Sequence, residues 1–217
     1  MKIRVKICCI ASEDEARLAI SFGASALGLV AAMPSGPGPI PDKLIWSIAR
    51  SVPPPVATFL LTCETQAGAI VVHHMRTQTS ALQLVDAPDE GAIDAIRLVL
   101  PAVKIVQVIH VRGEGSLDEA LRAAAKADAL LLDSGNPALA VKELGGTGRV
   151  HDWRLSRRIV ERSPVPVFLA GGLNAANVRD AIDRVQPFGV DLCSGVRTGG
   201  RLDPRKLESF FKEVEGG

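Results

Sequence analysis

Eight short apolar segments, each followed by a helical pattern, repeat along the whole chain. They cover residues 3–7, 26–32, 56–61, 81–85, 104–111, 127–132, 165–170 and 190–193. Dividing 217 residues by eight gives about 27 per unit, enough for one strand and one helix. Strands that are apolar throughout are typical of parallel sheets covered on both faces. The repeat therefore predicts an α/β protein, a closed (β/α)8 TIM barrel.

An open, doubly wound sheet is the alternative arrangement of the same elements. Dinucleotide-binding sheets of that kind carry a G-x-G-x-x-G turn after the first strand. Here the first strand is followed by Cys-Cys-Ile-Ala-Ser at 8–12, which favours the barrel. No stretch rich in Pro, Gly or Ser separates two halves, so residues 1–217 are expected to form a single domain.

Composition excludes several functional classes. The chain has 25 Lys and Arg against 24 Asp and Glu, a formal net charge of +1, whereas nucleic acids and acidic membranes bind concentrated positive charge. No apolar run approaches the roughly 18 residues of a membrane span. Residues 1–6 alternate charge with apolar side chains and do not open a signal peptide. A cytoplasmic protein with a small-molecule partner is predicted, and its oligomeric state stays open.

The four cysteines and four histidines show no metal-binding pattern. Cys8 and Cys9 are adjacent, no C-x-x-C occurs, and the histidines lack the spacing of a zinc site. Reduced thiols and no metal are expected. His73 and His74 cannot share one face of a helix, so both are predicted to lie at the surface.

The carboxyl ends of the strands carry the reactive side chains. In a (β/α)8 barrel these ends meet at one site. Gly171 and Gly172 follow the seventh strand, and Ser194 and Gly195 follow the eighth. Glycine backbone beside a helix N-terminus, together with a hydroxyl, suits a phosphate group. The alternative is two tight turns without a ligand.

The first and last strands predict a buried ion pair. Lys6 and Cys8 share one face of strand one, and Asp191 and Cys193 share one face of strand eight. These strands are neighbours when the barrel closes, so Lys6 is expected to pair with Asp191, because an unpaired buried charge is costly. The ammonium would favour the thiolate of Cys8 as a base. Otherwise Cys8 is a small core residue.

Asp133 ends the sixth apolar strand and is the candidate acid. Burial raises the pKa of a carboxyl group and helps it donate a proton. The alternative role is capping of the loop at Ser134 and Gly135. A thiol base and a carboxylic acid at a phosphate-binding cavity suit proton transfer on a sugar phosphate. This chemistry requires no metal and no cofactor.

At these positions the sequence resembles the phosphoribosylanthranilate isomerase family of tryptophan biosynthesis. The matching segments are VKIC at 5–8, FGA at 22–24, GLV at 28–30, LQL at 82–84, LDS at 132–134, GGTG at 145–148, DW at 152–153, LAGGLN at 169–174 and FGVD with SGV at 188–191 and 194–196. The resemblance implies a barrel enzyme that converts an N-phosphoribosyl anthranilate to its 1-deoxyribulose isomer, with Cys8 as general base, Asp133 as general acid and the two glycine loops on the phosphate.

Four departures from the family pattern surround the expected aglycone. Cys9 replaces the glycine of K-I-C-G. The family's loop after strand two has an arginine that contacts the anthranilate carboxylate, and residues 33–40 have none. The family's Q-L-H-G reads Gln-Leu-Val-Asp at 83–86, and Arg197 follows S-G-V where the family has an acid.

These departures leave three hypotheses. In the first, Arg197, or less favourably Arg76, supplies the missing guanidinium to the aglycone carboxylate, and the family activity is kept. In the second, the chain is a paralogue that isomerises another N-substituted ribose phosphate with the same acid and base. In the third, it is a non-catalytic barrel that binds a sugar phosphate.

Overall fold

In the computed structural model, which is described for residues 2–135 and 151–216, eight parallel strands close into a barrel in the order β1 to β8. The barrel strands are β1 Arg4–Ile7, β2 Ala26–Val30, β3 Ala57–Thr62, β4 Ala81–Leu84, β5 Lys104–His110, β6 Ala129–Asp133, β7 Val167–Leu169 and β8 Gly189–Leu192. The closed barrel confirms the predicted fold and excludes the open sheet.

Eight α-helices within residues 2–135 and 151–216 surround the barrel. They are α1 Glu13–Ser21, α2 Asp42–Ser51, α3 Ala67–Thr77, α4 Ala92–Val99, α5 Gly115–Ala124, α6 Trp153–Arg162, α7 Val178–Val185 and α8 Pro204–Glu215. A short antiparallel ribbon of β9 Arg197–Thr198 and β10 Arg201–Leu202 lies between β8 and α8. None of the described helices is both long and apolar enough to cross a membrane.

Alternate residues of each strand build two separate apolar layers, as a pleated strand requires. One set packs outward against the helices and includes Ile7, Leu82 and Leu132. The other set fills the barrel interior and includes Val106 and Phe168. Cys8 belongs to the interior set. Cys8 therefore faces the barrel axis, where the phase of strand one places it.

Several helix starts follow their sequence signals. The Ser12 hydroxyl accepts a hydrogen bond from the Glu15 N–H at 3.1 Å, as in a capping box. Asp152 caps α6, and Asp203 caps α8 ahead of Pro204. Pro41 precedes α2 without a side-chain cap, and α2 begins at the expected place.

Other local predictions are wrong. The Ser-x-x-Glu spacing of Ser116 and Glu119 predicts that Ser116 caps α5, but Ser116 lies inside the helix and accepts from the Arg112 N–H at 3.1 Å. The sequence also predicts Asn174 as the cap of α7, but its side chain accepts from the Ala176 N–H in a turn before the helix, and Asn177 is the residue that precedes α7. His74 is buried, with Nε2 2.8 Å from the Thr79 carbonyl oxygen. The GGTG segment at 145–148 lies outside the described residues.

Candidate active site

A cavity of about 720 Å³, counted out to its open mouth, lies at the carboxyl ends of the strands. The described lining includes Cys8 from β1, Asp133 from β6 and Asp191 from β8. The barrel thus brings together the candidate base and the candidate acid, which are 125 positions apart in the sequence (133 minus 8).

The predicted buried ion pair between β1 and β8 is confirmed. Lys6 is opposite Asp191 in the strand register, and its Nζ lies 2.8 Å from Asp191 Oδ1. The Lys6 side chain is 0% exposed. Burial disfavours its ammonium, but the Asp191 carboxylate outweighs burial and holds the pKa of Lys6 above its ordinary value. The Phe59 ring, 5.5 Å away, adds a cation–π contact.

Gly28 on β2 makes room for the candidate base. A Cβ atom at this position would lie 2.7 Å from Cys8 Sγ and 3.0 Å from Lys6 Nζ. One missing side chain therefore leaves space for both the thiol and the ammonium, and it places them next to each other. This geometry matches the prediction that a cation lies beside the Cys8 sulfur.

Asp133 ends β6 in a buried position. Burial raises the pKa of its carboxyl group, and the neighbouring Asp191 charge adds to the rise, while a hydrogen bond from the Ser134 N–H at 2.7 Å opposes it. His110, opposite Asp133 in the register, also lowers it. The net direction is the one expected of a group that must hold a proton near neutral pH.

Two loops form one side of the cavity mouth. Gly171 and Gly172 have φ angles of +85° and +65°, a backbone region that favours glycine. Within the described ranges, their N–H groups donate to no protein acceptor. At Gly195, a Cβ atom would lie 2.1 Å from the Leu173 carbonyl oxygen. Glycine at 195 is therefore needed for the two loops to touch, whether or not they bind an anion.

Ser194 lines the cavity with the glycine pair. Its position opens a single turn of 3-10 helix, Ser194–Val196, directly after β8. The carbonyl oxygen of Gly172 accepts hydrogen bonds from the side-chain amides of Asn174 and Asn177. These two amides fix the loop, so its free N–H groups keep one direction.

Cys9, which departs from the family pattern, has φ of +61°, a conformation that costs a non-glycine residue energy. It packs against Gly38, where a Cβ atom would lie 2.6 Å from Cys9 Cβ. The Cys9 and Cys193 sulfurs lie 2.6 Å apart. The loop after β2 therefore folds down onto the residue that follows the candidate base.

The structure corrects the prediction that Arg197 binds the aglycone. Its side chain is 8% exposed, and Nη1 lies 3.0 Å from Glu15 Oε1. Nη2 donates to the carbonyl oxygens of Cys8 at 3.2 Å and Cys9 at 2.6 Å. Arg197 is absent from the cavity lining. Its guanidinium is engaged by the protein itself and does not face the space that a substrate would fill.

Arg76 does not supply the guanidinium either. Its side chain is 66% exposed on α3 and reaches the Asp42 carboxylate at 3.9 Å. Among the described residues that line the cavity, none carries an ammonium or guanidinium group. The described part of the lining therefore offers an aglycone carboxylate no positive charge, and its uncharged polar groups include Ser35 and the Gln83 amide.

Sequence reasoning missed three residues of this site. Glu15 pairs with Arg197 and also accepts from the N–H groups of Ala11 and Leu202. Gln83 is buried at the cavity, and its Oε1 has no hydrogen-bond partner within the described residues. Gly28 had a signal, because a glycine interrupts an otherwise apolar strand. Within the described residues, no group of three or more His, Cys, Asp or Glu side chains is arranged to hold a metal ion.

Comparisons with known proteins identify the family of this chain. The family model described as N-(5'-phosphoribosyl)anthranilate isomerase matches residues 62–213. The enzyme of that name from Methanocella arvoryzae is 33% identical over 97% of each chain. The crystal structure of phosphoribosyl anthranilate isomerase from Thermotoga maritima is 30% identical, with a TM-score of 0.82 over 99% of this chain and all of that one.

A second solved structure of that isomerase contains a ligand. It is a complex with reduced 1-(o-carboxyphenylamino)-1-deoxyribulose 5-phosphate. The similarity is 28% identity with a TM-score of 0.79, and it covers 99% of this chain and the whole of the other. The likeness therefore extends through the strands that carry all the candidate site residues.

Proposed function

Because the chain belongs to the N-(5'-phosphoribosyl)anthranilate isomerase family, we propose that it catalyses the Amadori rearrangement of N-(5'-phosphoribosyl)anthranilate to the 1-deoxyribulose 5-phosphate isomer in tryptophan biosynthesis. It is an isomerase of the aldose–ketose type. The observation that carries the proposal is one cavity lined by Cys8 and Asp133, with glycine loops suited to a phosphate at its mouth.

Asp133 is the proposed general acid. Burial raises the pKa of Asp133, which favours the protonated carboxyl group, and in the proposed step that proton goes to the ribose ring oxygen. The bond between the ring oxygen and C1′ breaks, and the nitrogen lone pair forms the Schiff base. The hydrogen bond from Ser134 N–H holds the carboxyl group in place during the transfer.

Cys8 is the proposed general base. Its thiolate removes the C2′ proton, and the electron pair of that C–H bond moves through C1′ to the cationic nitrogen. The product is an enolamine, which tautomerises to the ketone. The buried Lys6 ammonium stands beside the sulfur at Gly28 and stabilises negative charge there, since opposite charges interact strongly at low dielectric.

The remaining site residues bind the substrate. Gly171, Gly172, Ser194 and Gly195 hold the phosphate with backbone N–H groups and one hydroxyl. Asp191 lines the cavity and accepts from a sugar hydroxyl, while Lys6 fixes the Asp191 carboxylate. Arg197 has no place in substrate binding, because Glu15 and two backbone carbonyl groups occupy its guanidinium.

Turnover of the fluorescent substrate tests the proposal. The purified wild-type protein should consume phosphoribosylanthranilate, and its gene should rescue a tryptophan auxotroph that lacks this step. Cys8→Ala and Asp133→Asn should abolish turnover. Cys63→Ser, a thiol outside the cavity lining, and Asp94→Asn, a carboxylate on the surface of α4, are the matched controls and should keep it.

Other outcomes identify the competing hypotheses. Full activity in Cys8→Ala contradicts the base assignment. No turnover of this substrate, with turnover of another N-substituted ribose phosphate that depends on Cys8 and Asp133, identifies a paralogue. Phosphate-ester binding that is unchanged in both variants, without any turnover, identifies a binding protein.

The same proposal includes the setting of the enzyme. We place it in the cytoplasm, where its phosphorylated substrate is retained, and assign residues 1–217 to one domain. Its partner is a phosphorylated small molecule, and neither a nucleic acid nor a membrane has a role in the reaction. Separation of cytosol from membranes, followed by the activity assay, tests the location.

A further inference from the structure

We propose that Cys9 and Cys193 form a redox-modification site at the rim of the active-site cavity, which a hydroperoxide oxidises to an intramolecular disulfide. Neither residue has a part in the isomerase mechanism. Both line the cavity, Cys9 directly after the base Cys8 and Cys193 directly before Ser194. The bond would therefore join the catalytic loop to a phosphate-binding loop.

The positions of the two sulfurs carry this proposal. They lie 2.6 Å apart, whereas the bond length in a disulfide is about 2.05 Å. A movement of about 0.5 Å is enough to bring the sulfurs to bonding distance. The two residues extend β1 and β8, which are adjacent strands, so the barrel itself holds the thiols together.

The backbone around Cys9 keeps the pair in register. Its left-handed φ of +61° turns the residue out of the strand direction, and Arg197 Nη2 holds its carbonyl oxygen at 2.6 Å. Gly38 leaves the space that Cys9 occupies. The φ angle and the two contacts together hold Cys9 in position beside Cys193, which reduces the entropy that bond formation must overcome.

The two thiols differ in their electrostatic surroundings. The hydrogen bond with Cys9, assisted by the Arg197 charge, holds the pKa of Cys193 below its ordinary value against the opposing effect of burial. Hydrogen bonds with Cys193 and Cys8, together with burial, raise the pKa of Cys9. Cys193 is also the less buried of the two. Cys193 is therefore the thiol that loses its proton more readily and that a small oxidant in the cavity meets first.

The reaction balances with one hydroperoxide. The Cys193 thiolate attacks a peroxide oxygen, the O–O bond breaks, and the leaving hydroxide takes a proton to become water. The sulfenic acid that forms on Cys193 is then attacked by Cys9 sulfur. The S–O bond breaks, a second water leaves with the Cys9 proton, and the S–S bond forms. Two thiols lose two electrons, and hydrogen peroxide is reduced to two waters.

The consequence for turnover rests on the proposed isomerase function. Cys9 follows the base Cys8 directly, and Cys193 precedes Ser194 directly, all four in the cavity lining. A bond between Cys9 and Cys193 would therefore shift the residues beside the base and beside the phosphate loop. We expect the oxidised protein to turn over at least about tenfold more slowly, since a displacement of about 1 Å at a reacting group can cost about 100-fold in rate, and a dithiol reductant should restore the rate.

Peptide mapping tests the bond without any assumption about activity. The full chain is treated with one equivalent of hydrogen peroxide, its remaining thiols are alkylated, and it is digested with trypsin without reduction. The expected product links peptide 7–17 to peptide 185–197. Because peptide 7–17 contains both Cys8 and Cys9, Cys8→Ser should keep the link, while Cys9→Ser and Cys193→Ser should lose it. Cys63→Ser is the control and should keep it.

Two results would overturn the site. One is a link that survives Cys9→Ser, which would make Cys8 the partner. The other is irreversible oxidation of Cys8 with Cys9 and Cys193 both recovered as free thiols. An intact link with unchanged turnover would refute only the regulatory effect, and absence of isomerase activity in the reduced protein would refute the proposed function while the mapping result stands.

Discussion

Arg197→Ala is the substitution that best separates a structural role from substrate binding. The guanidinium makes a two-point contact with Glu15 and donates to the carbonyl oxygens of Cys8, Cys9 and Gly200. The side chains of Arg197 and Glu15 are 8% and 15% exposed. Breaking a buried pair by removing one partner costs about 3–5 kcal/mol.

We expect the lower end, a loss of about 3 kcal/mol in the free energy of unfolding, because two backbone N–H groups still bind the Glu15 carboxylate. For a chain of this size the midpoint of thermal unfolding should fall by about 6–12 °C. Urea unfolding followed by circular dichroism measures the loss. Arg179→Ala, which removes a surface pair with Asp183, is the control and should cost less than about 1 kcal/mol.

The loss should also depend on pH. Arg197 lowers the pKa of Glu15 against the opposing effect of burial, so the pair contributes stability above the pKa of the unfolded carboxyl group, about 4.3. That contribution disappears as the pH falls through the lower pKa of the folded state. The difference between wild type and Arg197→Ala should therefore narrow in acid. An Arg197→Ala protein that is as stable as the wild type, with only a raised KM, would refute this reasoning. It would support the hypothesis that Arg197 binds the aglycone carboxylate.

Three further predictions concern the site. Asp133→Asn should abolish turnover yet raise the free energy of unfolding at pH 7. The pKa of Asp133 is raised in the folded protein, so the carboxyl group destabilises the fold at any pH above its unfolded pKa, and the neutral amide removes that cost. A less stable variant contradicts this. Gly28→Ala should lower kcat and cost about 1–3 kcal/mol, since its Cβ meets Cys8 Sγ; unchanged kinetics would refute it. Lys6→Met should cost about 3–5 kcal/mol in urea unfolding, and adding Asp191→Leu should recover much of that loss; an equal loss in both would count against pairing.

The barrel and the position of the acid and base could be predicted from sequence because both depend on strand phase. Apolar runs at a regular spacing define the eight units, and the residue that ends each barrel strand must lie at the carboxyl-terminal face of the barrel. The same count of two along β1 and β8 placed Lys6 opposite Asp191. The apolar runs and the alternation along a strand are local patterns, and the closed barrel determines where in space each residue lies.

Arg197 could not be placed correctly from sequence, because its partner is 182 positions away (197 minus 15). The Ser12–Glu15 spacing predicts only a local capping-box role for Glu15, whereas its carboxylate accepts from the Ala11 N–H and binds Arg197. The prediction that His74 lies at the surface is wrong for a similar reason, because the turn after α3 covers its ring and provides a carbonyl oxygen as its partner. Long-range polar contacts leave no periodic signal in one sequence.

The joint between the first and last strands implies an order of events during synthesis. Cys8 leaves the ribosome long before the carboxylate that fixes Lys6 and the guanidinium that holds the carbonyl oxygens of Cys8 and Cys9, which come from positions 191 and 197. A nascent chain that stops before them has its base without the surroundings that orient it. Catalytic activity should therefore appear late in synthesis and in a single step, when β8 pairs with β1.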